Sequence, residues 1–403
     1  MAMQIPGGTR ALGRQPVLGS IAAALRPRDV FVTAVSLLVS IGTVMVFSAS
    51  AYHGSVAGDV FYFLRRQLAW LPIAVLVCLV FRQLDYRILQ RHAGKLILAS
   101  GILLGIVLLP QVGRNVNESR RWLPLGPGIG FQPSELAKLA VIVFVAAHMS
   151  ANAERPRTFV RGFLIVCAAV LPIFGLVLVE PDFGTSMFIL ALAFFVLLLS
   201  GVRKLYLIAS AAIFAPIIAG FVYWRWEMIQ ARLLGFLEPD KVYQVKHSLT
   251  ALGSGGVWGL GLGASAEKLQ FLPEPHTDFI LSILGEELGF AGTVGILLLF
   301  VVLLWSGVGM VWRTRDLFGF LVGAGIVLAL AFQAALNIAV VTASMPTKGI
   351  PLPLLTHGGS GLCATLAQVG LLLSIDRIQR KESLDLDAAS EAAAVPAARR
   401  AAG

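Results

Sequence analysis

A chain of 403 residues that is 57% hydrophobic and 13% charged, with a mean hydropathy of +0.82, is too apolar for a soluble globular protein. Its formal net charge of +10 does not require a nucleic-acid partner, because Lys and Arg concentrate in short loops between apolar runs, as membrane orientation requires. Many of these runs approach the roughly 20 residues that cross a bilayer core. The sequence therefore predicts an all-α polytopic membrane protein.

The chain begins with a basic stretch, residues 1–29, that lacks the apolar core of a cleavable signal peptide. We expect a cytoplasmic tail here, followed by a ten-span membrane domain over residues 30–377. The candidate spans are 30–50, 64–82, 95–111, 133–150, 161–179, 184–201, 203–223, 284–311, 318–341 and 354–376. An even number of spans places both termini on one side. Residues 378–403 are Ala-rich and mixed in charge, which predicts a disordered cytoplasmic tail.

Basic residues indicate which side of the membrane is cytoplasmic. They recur in the N-terminal tail and in alternate loops at 82–95, 155–161, 203–204 and 313–315, so these are predicted to face the cytoplasm. The opposite side carries two long loops, 112–132 and a large extracytoplasmic loop at 224–283. Both also contain Lys and Arg. Two explanations of these basic residues are open: they bind an anionic ligand, or the loops carry the charge without any function.

The first long outer loop and the span after it read "NESRRWLPLGPGIGFQPSELAKLA" (117–140). Pro133 followed by Glu135 is typical of a helix N-terminus. Lys138 then falls inside a span, where an ionisable side chain usually faces a partner or a cavity; snorkelling to the surface is the alternative. Arg121 beside Trp122 offers a bidentate fork for phosphate and a stacking surface for a sugar.

The second outer loop begins with a sequence that suits a short interfacial helix, with Trp224 and Trp226 at headgroup level, or else an extended loop. "GSGGVWGLGLGAS" (253–265) follows, with glycine at six of the eleven positions 253–263. No strand precedes it, so a dinucleotide-binding fold is not indicated. A nest for an anion and a plain flexible turn both remain open.

The stretch "LPEPHTDFI" (272–280) concentrates charge where this loop returns to the membrane. Two prolines stiffen the approach to Asp278. This carboxyl group suits the N-cap of the following helix. It equally suits a general base, because partial burial would raise its pKa toward the working range.

Two shorter stretches complete the outer face. "VEPDFGTS" places Glu180 and Asp182 in a tight hairpin between spans. "ASMPTKGIPLPLLTHGGSGL" places Lys348 in a proline-rich turn and His357 in a broken tenth span. Interruption of a helix inside a membrane normally lines a cavity.

Together these motifs resemble the SEDS family, the shape, elongation, division and sporulation proteins, over about residues 30–376. "SAEKLQFLPEPHTDF" and "PTKGIPLPLLTHGGS" are more similar to the division branch than to the elongation branch. One departure is His357, where the family usually has tyrosine. The resemblance implies a peptidoglycan glycosyltransferase that polymerises lipid II at the outer face of the bacterial cytoplasmic membrane, at the division septum.

The resemblance also implies site residues, a cofactor and partners. Asp278 corresponds to the family's essential acid, a divalent cation (Mg or Mn) is expected with ligands unknown, and the expected partners are a class B penicillin-binding protein, which is a transpeptidase, and other division proteins. Candidate substrate-binding residues are Arg120, Arg121, Trp122, Gln132, Ser134, Glu135, Lys138, Glu180, Asp182, Lys268, Glu274, His276, Lys348 and Ser360.

A base at Asp278 and cations for a leaving diphosphate fit one-step displacement with inversion, from an α-linked donor to a β-1,4 product. Arg121, Lys138, Lys348 or a bound metal are the candidate cations. Two other functions remain open: a lipid II flippase, and a non-catalytic scaffold that recruits the transpeptidase. Asp278→Asn separates them, because it keeps a capping oxygen and removes the base.

Overall fold

The computed structural model describes residues 26–401, apart from 57, 117–118, 127–128, 153–158, 160–162, 239–241 and 270. The predicted basic tail over residues 1–25 therefore lies outside the described residues. So do Arg155, Arg157 and Arg161, on which the prediction of a basic loop rests.

The described residues are mainly helical. The helices are α1 (Pro27–Val56), α2 (Tyr62–Gln83), α3 (Arg87–Val107), α4 (Pro133–Ala151), α5 (Ile165–Val179), α6 (Phe183–Leu199), α7 (Lys204–Trp224), α8 (Trp226–Leu237), α9 (Tyr243–Ser254), α10 (Ile280–Val311), α11 (Leu317–Val341) and α12 (Gly359–Ala401).

Each of the ten predicted spans coincides with one helix, α1 to α7 or α10 to α12. Seven of these, α1, α2, α4, α7, α10, α11 and α12, are long and apolar enough to cross a membrane. α5 and α6 are shorter apolar helices. α3 carries Arg87, Arg91 and Lys95 in its first half. The chain is thus a multi-pass helical membrane protein.

The all-α prediction missed a small antiparallel sheet in the first outer loop. Strands β1 (Arg114–Val116), β2 (Ser119–Gly126) and β3 (Ile129–Phe131) pair in the order β1-β2-β3. The outer two strands have only three residues each, too few to give a readable alternation of apolar and polar side chains. The sheet matters for the site because its pairing shifts register opposite Arg121, and such a bulge interrupts the alternation of side chains along β2.

The second outer loop contains two helices. α8 matches the helix predicted there, whereas α9 was not predicted. α9 is attached by Ser248, whose hydroxyl lies 2.7 Å from that of Ser282 on α10 and donates to the carbonyl of Val341 at 2.8 Å. α9 was missed because a helix that is attached through two buried hydroxyl groups leaves little trace in the sequence.

The Gly-rich segment pairs with the backbone of α10. α10 is interrupted at Gly289, whose φ is 70°. There the amide of Gly261 donates to the carbonyl of Glu287, and the amide of Phe290 donates to Gly256, at 3.0 and 2.9 Å. A Cβ on Gly259 would lie 2.2 Å from the Glu287 oxygen, so the close approach requires glycine. The amides of Gly259, Leu260 and Gly261 are thus used in backbone hydrogen bonds and are not available to an anion.

Two further features place the site. α4 is buried along most of its length in the centre of the bundle. The predicted tenth span begins as a helix only at Gly359, after a non-helical segment, residues 344–358, that folds against α11. At its other end α12 continues through Ala401, in contrast to the disordered tail predicted from residue 378. The Ala-rich composition of this end favours a helix.

Candidate active site

Asp278 lies two residues before α10 begins. The N-cap of that helix is Phe279, and no side chain caps this described end. The capping interpretation of Asp278 is therefore wrong. Its backbone carbonyl accepts a hydrogen bond of 2.8 Å from the side-chain amide of Asn337, which also donates to the carbonyl of Ile350. Asn337 on α11 thus holds the two loops that flank the carboxyl group of Asp278.

The side chain of Asp278 faces a cavity of about 250 Å³. A smaller cavity of about 40 Å³ adjoins it and shares five lining residues. The sequence-predicted residues that line one or both cavities are Arg121, Trp122, Gln132, Glu135, Lys138, Glu274 and Asp278. Three separate stretches of the chain, 121–138, 274–278 and 349–365, therefore meet at one place.

Lys138 is buried at the inner end of the cavities. Its ammonium group lies 2.8 Å from the carboxylate of Glu135, one helical turn away, and 5.3 Å from the ring centre of Phe188. Gln333 of α11 accepts from Lys138 at 3.5 Å and donates to the carbonyl of Pro351 at 3.0 Å. Lys138 therefore faces a cavity and does not snorkel.

Arg121 and Trp122 reach the site from β2. The Arg121 guanidinium lies 3.4 Å from the carboxylate of Asp182, which also accepts from the amide of Thr185 at 3.0 Å and so caps α6. Trp122 packs over Gly130 of β3, where a Cβ would lie 3.0 Å from the indole. The small sheet therefore presents a cation and an aromatic face to the same cavity.

Two carboxyl groups at the site have raised pKa values. Burial, together with the charges of Glu274 and Asp182, raises the pKa of Asp278 to about 7, against the lowering influence of Arg121. Burial and the charge of Asp182 raise the pKa of Glu180 to about 8. Glu180 is fully buried, and neither carboxyl oxygen has a hydrogen-bond partner among the described residues. Near neutral pH, Asp278 is half ionised and Glu180 is mostly neutral.

Five predicted residues have other surroundings. Arg120 lines neither cavity. Ser134 is fully buried in α4, and Lys348 lies 6.0 Å from the ring centre of Phe183. The remaining two, Lys268 and His276, are both buried.

Neither Lys268 nor His276 lines one of the two cavities, although His276 contacts His357, which does. The Lys268 ammonium forms a buried ion pair of 2.7 Å with Glu287. The His276 ring packs 4.5 Å from that of Phe63, and its carbonyl accepts from the amide of His357 at 3.0 Å. Ser360 is close to the site, because its hydroxyl accepts from the amide of Gln132 at 3.3 Å.

The described residues contain no group of three His, Cys, Asp or Glu side chains arranged to hold a metal ion. Three carboxyl groups, those of Glu135, Glu274 and Asp278, nevertheless line the same cavity. Mg²⁺ is commonly held by one or two carboxylates together with substrate phosphates and water. The residues present thus suit a cation that arrives with a phosphorylated ligand.

Sequence reasoning missed Gln333 and Asn337. Both are buried amides on α11, an otherwise apolar helix. A polar side chain within a span is the signal that would have identified them. Only the structure reveals that they bind the backbone of the 344–358 segment.

Comparison with known proteins identifies the family. The model of the FtsW, RodA and SpoVE proteins, described as "Cell cycle protein", matches residues 28–381. The chain belongs to this family. The predicted resemblance is thereby confirmed over nearly the whole chain.

Family members of known name cover most of this chain. A probable peptidoglycan glycosyltransferase FtsW of Aromatoleum aromaticum is 39% identical over 385 residues, which are 92% of this chain and 93% of that protein. Stage V sporulation protein E of Bacillus subtilis is 38% identical, over 85% and 95% of the two chains.

Solved structures of family members share the fold. A structure described as "Structural coordination of polymerization and crosslinking by a peptidoglycan synthase complex" matches with a TM-score of 0.71 at 30% identity, over 87% of this chain and 97% of that one. The rod shape determining protein RodA of Thermus thermophilus matches with a TM-score of 0.65 at 30% identity, over 87% and 96%.

Proposed function

We propose that the chain is a peptidoglycan glycosyltransferase that polymerises lipid II into β-1,4 glycan strands at the outer face of the cytoplasmic membrane, during septal wall synthesis. The observation that carries this proposal is the carboxyl group of Asp278, with a pKa raised to about 7, in a cavity that Arg121 and Trp122 also line, while Lys138 lines the smaller cavity that adjoins it. The family's FtsW members bear the name of this activity.

In this mechanism the acceptor sugar hydroxyl gives its proton to the Asp278 carboxylate and attacks the anomeric carbon of the growing strand. The bond from that carbon to the lipid diphosphate breaks, with inversion. A base whose pKa lies near neutrality accepts a proton readily and is still about half ionised near neutral pH. A single carboxylate suffices, because the diphosphate leaves without protonation by a second carboxyl group.

Cations at the site stabilise the leaving diphosphate. Arg121 offers a planar fork, and Lys138 a buried ammonium group whose partner Glu135 fixes its position. A divalent cation, if bound with the substrate, would be held by Glu274, since Asp278 must accept the proton, and would neutralise further charge on the diphosphate. Trp122 supplies a flat apolar face for a sugar ring.

The lipid tails need an apolar path out of the site. α6 begins at Phe183, directly after Asp182, and farther along it lines a groove of about 400 Å³ with α5 and α7. Every residue that lines this groove is apolar, including Val170, Leu190 and Phe214. An apolar groove of this kind would accommodate the hydrocarbon tail of a lipid-linked substrate, which is an argument for that class of substrate.

The finer assignments are also part of the proposal. We infer that the chain has ten spans, both termini in the cytoplasm and the 112–132 and 224–283 loops outside, since ten helices match the predicted spans and basic loops alternate with them. A class B penicillin-binding protein is the proposed transpeptidase partner, supported by the likeness to a chain from a peptidoglycan synthase complex.

The test is strand synthesis from purified lipid II by the purified chain with a candidate transpeptidase, with and without chelator. We expect Asp278→Asn to lower the rate by about 10²–10⁴-fold, the usual contribution of a general base. Glu227→Gln, which removes an exposed carboxyl group of α8, is the matched control and should retain full activity. If folded Asp278→Asn polymerises normally, the proposed base is wrong and the flippase or scaffold function becomes preferable.

A further inference from the structure

A second polar cavity, of about 470 Å³, lies at the end of the bundle opposite Asp278. It is bounded by the start of α1, the end of α10, the connection to α11, and α12 near residues 376–383. Asp278 precedes the first residue of α10, whereas this cavity begins near its last residues. The two sites are thus at opposite ends of one helix and do not share residues.

The lining of this cavity is strongly basic. Its charged residues are Arg26, Arg28, Arg313, Arg315, Arg380 and Asp376. Five guanidinium groups therefore face one carboxylate. Asp376 interacts electrostatically with Arg28, Arg313 and Arg380, so a single acid is shared among three arginines.

The other acids near the cavity are already paired, one of them with an arginine of the lining. Asp29 forms an ion pair with Arg28 at 3.2 Å, and Glu382 forms one with Arg87 at 2.7 Å. Asp316 accepts from the hydroxyl of Tyr86 and from Gln379. Among the described residues, the side chains of the four other arginines have no carboxylate within 4 Å. Residues 1–25 of the sequence add two arginines and no acid.

Uncompensated guanidinium groups around one cavity repel one another, and an anion relieves that repulsion. Guanidinium binds phosphate through two parallel hydrogen bonds. The amino-terminal end of α1, which begins at Pro27 in this lining, adds the positive end of a helix dipole. The chemistry of the cavity therefore suits a phosphate ester.

The position of the cavity relative to the membrane favours a phosphate carried by a lipid, because the length of α10 places the cavity at the level of the headgroups. From the break at Gly289 to Val311, α10 would extend about 33 Å at 1.5 Å per residue, close to the thickness of a bilayer core. Trp312 follows directly and is 77% exposed, as is typical of the membrane interface. Apolar Met310 and Pro27 line the cavity beside the arginines.

We propose that this cavity binds the headgroup of an anionic phospholipid, with the phosphodiester on the arginines and the acyl chains along α1 and α10. Basic pockets between membrane helices bind such headgroups. The proposal is independent of lipid II chemistry, because it uses no residue of the candidate active site.

Binding is measured by native mass spectrometry and thermal unfolding of the full chain in neutral detergent, titrated with phosphatidylglycerol, phosphatidylcholine or inorganic phosphate. We expect saturable binding of phosphatidylglycerol with a rise in Tm. Arg313→Gln with Arg380→Gln should weaken it at least tenfold. The matched control, Arg82→Gln with Arg91→Gln, removes two exposed charges from the same predicted face and should stay within twofold.

Three results would overturn the proposal. Equal weakening in the pocket pair and the control pair would indicate general surface charge. Binding of phosphatidylcholine as tight as that of phosphatidylglycerol would remove the role of the arginines. Millimolar inorganic phosphate that binds alone and displaces phosphatidylglycerol would make the ligand a free anion. If the double variant is unfolded in phosphatidylcholine, Arg315→Gln, with an exposed side chain, replaces it and should weaken binding about threefold.

Discussion

Two carboxyl groups near one arginine illustrate how surroundings decide the role of a residue. Asp278 lines the cavity that is proposed to bind the substrate, whereas Glu180 is fully buried in a hairpin turn. Both have raised pKa values, mainly because burial disfavours the charged form. Only the first is placed to exchange a proton with a substrate.

Glu274→Gln tests the electrostatic contribution at Asp278. The charge of Glu274 is the second cause, after burial, of the raised pKa of Asp278. Removing it should lower that pKa, so the acidic limb of the pH profile of kcat/KM should move to lower pH, whatever the height of the plateau. The measurement is strand synthesis between pH 5 and 9. Glu227→Gln is again the control, and an acidic limb that shifts equally in both variants, or in neither, would contradict the assignment.

Glu180→Gln tests the buried neutral carboxyl group. The folded-state pKa of about 8 lies above the ordinary 4.5, so the folded state retains a proton that the unfolded chain releases. The stability of the wild type therefore falls as pH rises from about 5 to 8. Glutamine stays neutral, so the variant should be the more stable protein by about 3 kcal/mol at pH 7, and equal at pH 4 to 5.

Thermal unfolding in detergent at pH 5 and pH 8 measures the difference for Glu180→Gln. Activity at pH 7 should stay within about threefold of the wild type, because the carboxyl group is already mostly neutral there. A variant that is less stable at both pH values would show that the Glu180 side chain makes an ionic contact.

At the level of elements, a buried ionic cluster holds the Gly-rich segment to the bundle. Lys268 donates to Glu287 of α10 at 2.7 Å and to the hydroxyl of Ser48 of α1 at 3.2 Å. The neighbouring Glu286 accepts from the hydroxyl of Ser265 and from the amide of Ala266. The cluster fixes the loop whose continuation carries Asp278.

Lys268→Met should destabilise the protein by about 3–5 kcal/mol, because it leaves the Glu287 carboxylate buried without a cation. Combining it with Glu287→Leu should recover most of that loss, since no unpaired charge remains. The free energy of unfolding in detergent measures both. Lys246→Met, at an exposed position of α9, should change stability by less than about 0.5 kcal/mol. A double variant as unstable as Lys268→Met would contradict this account.

The positions of ten helices, α1 to α7 and α10 to α12, could be predicted because each contains a continuous apolar run, and a run of about 20 residues has one common solution in a bilayer. Asp278 could be identified because its motif is local. The role of Lys268 could not, since a lysine in a long loop has the same sequence signature whether it binds a ligand or Glu287. Asn337 was missed because its partners, the carbonyls of residues 278 and 350, are distant in the chain.

At the scale of the whole molecule, α10 connects two polar sites across an apolar layer. Asp278 lies just before its first turn, and Arg313 follows its last. A reaction that consumes a lipid-linked sugar at one face must hold the protein at a fixed depth, because the lipid diphosphate is confined to the headgroup layer. A phospholipid headgroup bound in the basic cavity at the other end of the same helix would help to fix that depth.

This arrangement requires the ten-span topology, in which the Gly-rich segment and the loop around Arg91 face opposite compartments, and single-cysteine labelling measures that. In a chain with Cys78, Cys167 and Cys363 replaced by alanine, Leu262→Cys lies in the Gly-rich segment at a 61% exposed position. Arg91→Cys lies in the basic loop predicted to be cytoplasmic. A membrane-impermeant maleimide should label Leu262→Cys in right-side-out vesicles and Arg91→Cys in inside-out vesicles. Labelling of both from one side would invalidate the ten-span topology, because an even number of spans between the two positions would then be required.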